Sequence, residues 1–317
     1  MLNQRTIRDV VTTIGIGVHS GKKVRMTLRP ARPNTGIHFV RTDLKGTPAV
    51  KASVTNVVDT TLATTVGSDT VRVSTVEHLM AAMWGAGIDN LVVELNGAEV
   101  PSLDGSAAPF IYLVNRAQVV EQRSPKQFIR IRKTLQVTDG HARLKLTPFA
   151  GFKGSYNFVY DHPVYNRYPK FVEVDFSQQS FVADVSRARS FGLIGELEQA
   201  QAINRCLGSS LENSVGIDDY IILNQDGLRY QDEFVKHKLL DLVGDMYLLG
   251  HPLLGQVEGH MSGHSLNNLL GKTLLENRDA WEFVNAPALP ASETPAWPLD
   301  WGTSPDRLAP AFASAGN

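Results

Sequence analysis

The stretch STVEHLMAAMWGAGIDNLVVEL, Ser74–Leu95, decides the fold. Ser74 and Glu77 stand three apart, the spacing of a capping box, and VEHLMAAMW carries helix formers until Gly85 and Gly87 end the run. LVVEL, Leu91–Leu95, then reads as a strand. Upstream, residues 1 to about 65 alternate in short runs such as KVRMTL (Lys23–Leu28) and GIHFVR (Gly36–Arg41), so the order is β, α, β. A second helical pattern runs from near Ser106 through FIYLVNRAQVV to Glu121, and the polar stretch EQRSPKQ, Glu121–Gln127, is the expected domain boundary. Beyond it the same order returns: FIRIRKTLQV, ARLKLTPF, YNFVYDHP and KFVEVDF as strands, then DVSRARSFGL leading into the helical IGELEQAQAI. A long helix is expected over Asp232 to about Leu249, and a last helix over SLNNLLGKTLLENRDAWEFV, from Ser265.

These patterns predict an α+β protein of two similarly built domains, 1–124 and 125–285. Residues 286–317 hold 6 of the 16 prolines with little periodicity and read as a mobile tail outside the fold. Over 317 residues, 43% hydrophobic and 20% charged composition excludes disorder, collagen and a disulfide scaffold. A net charge of −1 offers no global field for nucleic acid or a membrane surface. A single cysteine, Cys206, excludes an internal disulfide and fits a reducing compartment. The start, MLNQRTIRDVV, lacks the apolar stretch of a secretory signal, so a cytoplasmic location is expected. No run reaches the length of a membrane helix; LLDLVGDMYLLGHPLLG is interrupted by Asp241, Gly244, Asp245 and His251.

Carboxylates inside so apolar a helix are costly unless something pairs with them. His237 and Asp241 are four apart, hence on one helix face, which is a two-ligand metal spacing; a His-Asp pair bracing the helix has the same spacing. Asp245 continues the stripe and Lys238 stands beside it. A catalytic zinc site commonly takes three N or O ligands and keeps a fourth position for water. The third ligand must come from His19, His38, His78, His141, His162, His251, His260 or His264. His78 is the most attractive, because small residues Ala81 and Ala82 leave room for close approach and Glu77 beside it can take a proton from metal-activated water. Glu77 cannot serve that role if it folds back as the second member of a capping box. His264, at the start of the last helix, would lose proton affinity to the helix N-terminus unless a carboxylate reverses the effect, and Asp245 is the candidate partner.

Five motifs occur in order: GIGVHSGKKVRMTLRPA, STVEHLMAAMWGAGIDNLVVELNGAEVPSLDGSA, SRARSFG, DDYIILNQDGLRYQDEFVKHKLLDLVGD and SGHSLNN. Together they resemble the UDP-3-O-acyl-N-acetylglucosamine deacetylases of lipid A biosynthesis, to about residue 285. The resemblance implies two α+β domains with helices sandwiched between two sheets, the active site at their junction, and an insert in the second domain forming a passage for the substrate's acyl chain. It implies one Zn2+ per chain on His78, His237 and Asp241, with Fe2+ an alternative since imidazole and carboxylate accept both. Glu77 would be the general base, His264 with Asp245 the general acid, and Ser190, where a Thr is usual, the oxyanion hydroxyl. Lys238 and Phe191 would contact substrate, and Leu193, Leu197, Ile203, Cys206, Leu211 and Val215 would line the passage. Met261 replaces a Lys expected on the nucleotide's phosphates, and Leu193 and Gly216 stand where bulkier residues are usual. The implied reaction is hydrolysis of the N-acetyl group, releasing acetate. The other readings are a non-catalytic sugar-nucleotide or lipid-precursor binder, and a zinc amidase of another substrate. The tail ending AFASAGN is a candidate handle for a regulatory protease.

Overall fold

In the computed structural model, residues 2–176 and 181–285 are described. The predicted mobile tail, 286–317, and with it the proposed protease handle, lie outside them. The architecture is mixed α and β, as expected, with six α-helices among the described residues: α1 Glu77–Ala86, α2 Ala108–Arg116, α3 Phe181–Asp184, α4 Ile194–Ala202, α5 Glu233–Tyr247 and α6 His264–Glu276. Two sheets dominate. The first orders its strands Val11–Ile16, Lys23–Pro30, Leu91–Leu95, Ile37–Arg41 and Ala49–Lys51. Ile37–Arg41 runs parallel to Leu91–Leu95, which requires a crossover, and α1 lies on the connection. The second sheet centres on Leu253–His260, flanked by Ala142–Thr147 on one side and by Gln127–Ile131 and Phe152–Asn157 on the other.

Every residue of α1 is buried, as befits a helix that is apolar all round after Glu77 and His78. Its Trp84 packs on Phe152 and Phe176, next to the second sheet, and residues of both sheets join one apolar core. Against α1 lies α5, and Gly244 sets their distance. A Cβ built there would lie 2.0 Å from the carbonyl oxygen of Glu77, so only glycine admits this approach. Residues 77–78 and 237–245 are thereby brought face to face.

Three readings of the sequence are corrected. Ser74 and Glu77 form no capping box: Thr75 adopts φ 59, α1 has no side-chain cap, and Ser74 Oγ accepts from Thr65 Oγ1. The second helix ends at Arg116, because Gln118 takes φ 58 and turns the chain into Val119–Pro125, a strand antiparallel to Asn3–Ile7. The stretch Glu121–Gln127 is thus largely ladder, and Lys126 is buried with its ammonium 2.7 Å from Asp89. The last helix stops at Glu276; Trp281–Asn285 is a strand pairing antiparallel with Gln127–Ile131. No described helix is long and apolar enough to cross a membrane.

Candidate metal centre

The first turn of α1 supplies Glu77 and His78, while α5 supplies His237, Asp241 and Asp245 on successive turns. His78 Nε2 and His237 Nε2 each lie 3.4 Å from Asp241 Oδ1. That oxygen is buried without a hydrogen-bond partner among the described residues. Tetrahedral ligands at ~2.0–2.1 Å from a zinc-sized ion stand about 3.3 Å apart, so the spacing fits a shared cation. His237 Nδ1 donates to the carbonyl of Ala188 at 3.0 Å, which leaves the Nε2 lone pair facing inward. Burial drives the His237 pKa down to about 3, keeping the ring neutral as a ligand must be. Asp241 Oδ2 accepts from Lys238 Nζ at 3.0 Å. Burial opposes ionisation of Asp241, yet the positive charge around it, the Lys238 ammonium included, outweighs that and holds the carboxyl well below its ordinary range. His78, His237 and Asp241 are the one such three-residue group found among the described residues.

Glu77 is buried, and burial raises its pKa. Its carboxylate does not return to the helix start: Oε2 accepts from the backbone N–H of Thr64 at 2.9 Å. His264 Nδ1 donates to Asp245 Oδ2 at 2.9 Å. Burial opposes the charge on His264, but the Asp245 carboxylate prevails and lifts the imidazole to about 9. Asp245 is held in turn by Asn267 Nδ2 at 2.8 Å and by Thr64 Oγ1 at 2.6 Å.

Ser190 Oγ lies 3.3 Å from His237 Nε2. Its backbone is fixed from both sides, donating to Gly105 O at 2.9 Å and accepting from Val215 N at 2.7 Å. Arg189, next to it, forms a buried pair with Glu233, Nε to Oε1 at 2.8 Å. Gly105 needs its φ of 82 and its missing side chain, since a Cβ would meet the carbonyl oxygen of Asn213 at 2.0 Å. The loop from the PSLDGSA motif is therefore a brace behind Ser190. Lys238 Nζ stands 5.5 Å from the centre of the Phe191 ring, which itself packs 5.9 Å from that of His237.

The passage candidates divide. Phe191–Leu193 pairs in parallel with Val215–Ile217, and α4 follows with no buried residue. Leu193 and Leu197 are half-buried, Ile203 and Leu211 exposed, and Val215 buried. Leu211, Leu223 and Ile194 converge over Gly216, where a Cβ would lie 2.6 Å from Leu211 Cδ2. Cys206 is placed elsewhere, its backbone N–H on His19 Nδ1 at 3.3 Å and its Sγ 3.8 Å from the same nitrogen. Met261 is exposed, and neighbouring His260 pairs with Asn157. Sequence reasoning missed Thr64, Asn267 and the Arg189–Glu233 pair. Asn267 had a signal, three residues after His264 on the same helix; Thr64 had none.

A buried two-histidine, one-carboxylate donor set, flanked by a buried carboxylate and a carboxylate-paired imidazole, is equipment suited to metal-assisted hydrolysis. The chain matches the LpxC family profile, UDP-3-O-acyl N-acetylglycosamine deacetylase, over residues 4–276. Proteins named UDP-3-O-acyl-N-acetylglucosamine deacetylase are 51% identical in Acidithiobacillus ferrooxidans, over 90% of this chain and 94% of that protein, and 49% identical in Hahella chejuensis, with the same coverage. The homologue from Chromohalobacter salexigens, bearing the same name, is 50% identical over 90% of this chain and 94% of its own length. The chain belongs to the LpxC deacetylase family.

Proposed function

We propose that this protein is a cytoplasmic zinc-dependent amidase that hydrolyses the N-acetyl group of UDP-3-O-acyl-N-acetylglucosamine, releasing acetate and the free amine in the committed step of lipid A biosynthesis. The observation that carries the reading is the convergence of His78 Nε2, His237 Nε2 and the unpartnered Asp241 Oδ1, with Glu77 and His264 on its flanks. His78, His237 and Asp241 would hold one zinc ion, which when bound supplies Lewis acidity and an acidified water.

The protein's own groups do the rest. Glu77, raised by burial, takes the proton from the attacking water. The Ser190 hydroxyl, steadied by Gly105 and Val215, donates to the oxygen that gains charge at the acetamide carbonyl. His264, kept protonated by Asp245, gives its proton to the departing amine, which would otherwise leave as a very poor anion. Lys238 offers a positive contact to the substrate beside the Phe191 ring. The apolar side chains over Gly216 support a passage for the acyl chain, and residues 1–124 and 125–285 form the two domains whose junction is the site. Mass spectrometry of a reaction with the UDP-sugar tests the proposal: loss of one acetyl group, abolished by chelation and restored by one zinc per chain, is expected. A purified chain that binds no metal and leaves the acetyl group in place refutes it.

A further inference from the structure

Thr64 lies just before the strand Thr65–Gly67 and is buried, at 1% exposure. It touches Glu77 and the carboxylate that holds His264. Its backbone N–H donates to Glu77 Oε2 at 2.9 Å, and its hydroxyl donates to Asp245 Oδ1 at 2.6 Å. Its carbonyl accepts from Val76 N at 3.2 Å, which ties the same residue to the start of α1. The backbone contacts would survive most substitutions; the hydroxyl contact would not.

The division of donors on Asp245 shows what that hydroxyl does. Asn267 Nδ2 and His264 Nδ1 both reach Oδ2, whereas Thr64 is the donor on Oδ1 among the described residues. The terminal torsion of an aspartate is soft, so a carboxylate held through one oxygen can rock about it. Held through both oxygens it is fixed, and so is the imidazole that follows it. We propose that Thr64 is a positioning residue that sets the separation of proton acceptor and proton donor, aiming Glu77 with its amide and Asp245, hence His264, with its hydroxyl. The assignment rests on the deacetylase reading above.

The test uses the full chain loaded with zinc and the UDP-3-O-acyl-N-acetylglucosamine substrate. Thr64→Val, nearly isosteric, removes only the hydroxyl. Its kcat is expected to fall by about 10- to 100-fold, the scale of a hydrogen bond to a charged group, while KM changes less than about threefold. Zinc per chain stays at the wild-type level. Thr64→Ser, which keeps the donor, is expected to recover to within about threefold of wild type. In an Asp245→Ala background, where the hydroxyl's partner is gone, Thr64→Val should cost less than about threefold more. If Thr64→Val folds poorly, Thr64→Ala gives the same comparison with a smaller side chain. A kcat of Thr64→Val near wild type, equal impairment of the Ser and Val variants, or a full additional loss in Asp245→Ala overturns the assignment. Wild-type chain that holds zinc but releases no acetate overturns the deacetylase reading as well; acetate release by wild type with Thr64→Val unimpaired overturns this assignment alone.

Discussion

Replacing Gly244 by Ala adds one methyl group at the point where α1 and α5 come closest. The new Cβ would lie 2.0 Å from Glu77 O, 2.8 Å from Glu77 C and 3.1 Å from Ala81 N, all backbone atoms that cannot rotate away. Moving the first contact from 2.0 Å to even 3.0 Å requires the helices to separate locally by about 1 Å. Overpacking of this kind costs about 1–3 kcal/mol, and the better helix propensity of alanine returns about 1 kcal/mol. The net loss of stability is therefore modest, a few degrees in Tm for a chain of this size. The metal site should suffer far more. His78 stands one residue after Glu77 on α1, while His237 and Asp241 lie on α5, and metal–ligand distances tolerate only about 0.2 Å. Competition with a chelator is the decisive assay: Gly244→Ala is expected to lose zinc at a chelator concentration at least about tenfold below that needed for wild type, with turnover lost in parallel. A variant that melts like wild type and gives up zinc at the same chelator concentration would refute the argument that this glycine sets the ligand geometry.

Glu77→Ala, with zinc content retained, is expected to lower kcat by roughly 10²–10⁴-fold, measured as acetate release. The alkaline limb of the pH profile follows from His264, whose ordinary pKa of 6.5 is raised to about 9: kcat/KM should decline as pH rises through about 9, where the imidazole loses its proton. Asp245→Asn removes the raising carboxylate, so that limb should move to lower pH; an unmoved limb would assign it to another group. The same shift contributes to stability, fully present below pH 6.5 and lost as pH rises through about 9, so wild type should melt progressively lower across that interval. Gly216→Val places methyl groups among Leu211, Leu223 and Ile194, and turnover of long-chain substrates should fall more than that of short-chain ones in a competition assay.

Much of the centre was legible because helices write their geometry into spacing. His237, Asp241 and Asp245 share a helix, and four-residue steps in an apolar run announce a stripe of polar groups needing partners. His78 was harder, since only its small neighbours Ala81 and Ala82 and the adjacent Glu77 set it apart from seven other histidines; the family resemblance and the crossover that brings α1 onto α5 add what local sequence lacks. Glu77 had two local readings, and the backbone at Thr75 removes the capping box by turning Ser74 away. Element ends were illegible for the same reason. AQVV continues a helical composition, but Gln118 in the left-handed region and a partner strand more than 100 residues upstream convert it to a ladder. Trp281–Asn285 is likewise too short for periodicity to tell helix from strand, and its pairing with Gln127–Ile131 settles it. Thr64 carries no signal at all, because a small hydroxyl residue acquires a role only through what folding puts against it.

Since His237, Asp241 and Asp245 fall on consecutive turns, each four-residue step advances about 40° around an axis of 3.6 residues per turn. One rod thus presents His237 and Asp241 on one side and meets the imidazole of His264 on the adjacent side. Inserting or deleting a single residue between 237 and 245 would rotate everything beyond it by about 100° and shift it by about 1.5 Å, separating the two services at once. A change in chain length costs little in a surface loop, whereas across these nine positions the polypeptide acts as a ruler whose graduations cannot be altered.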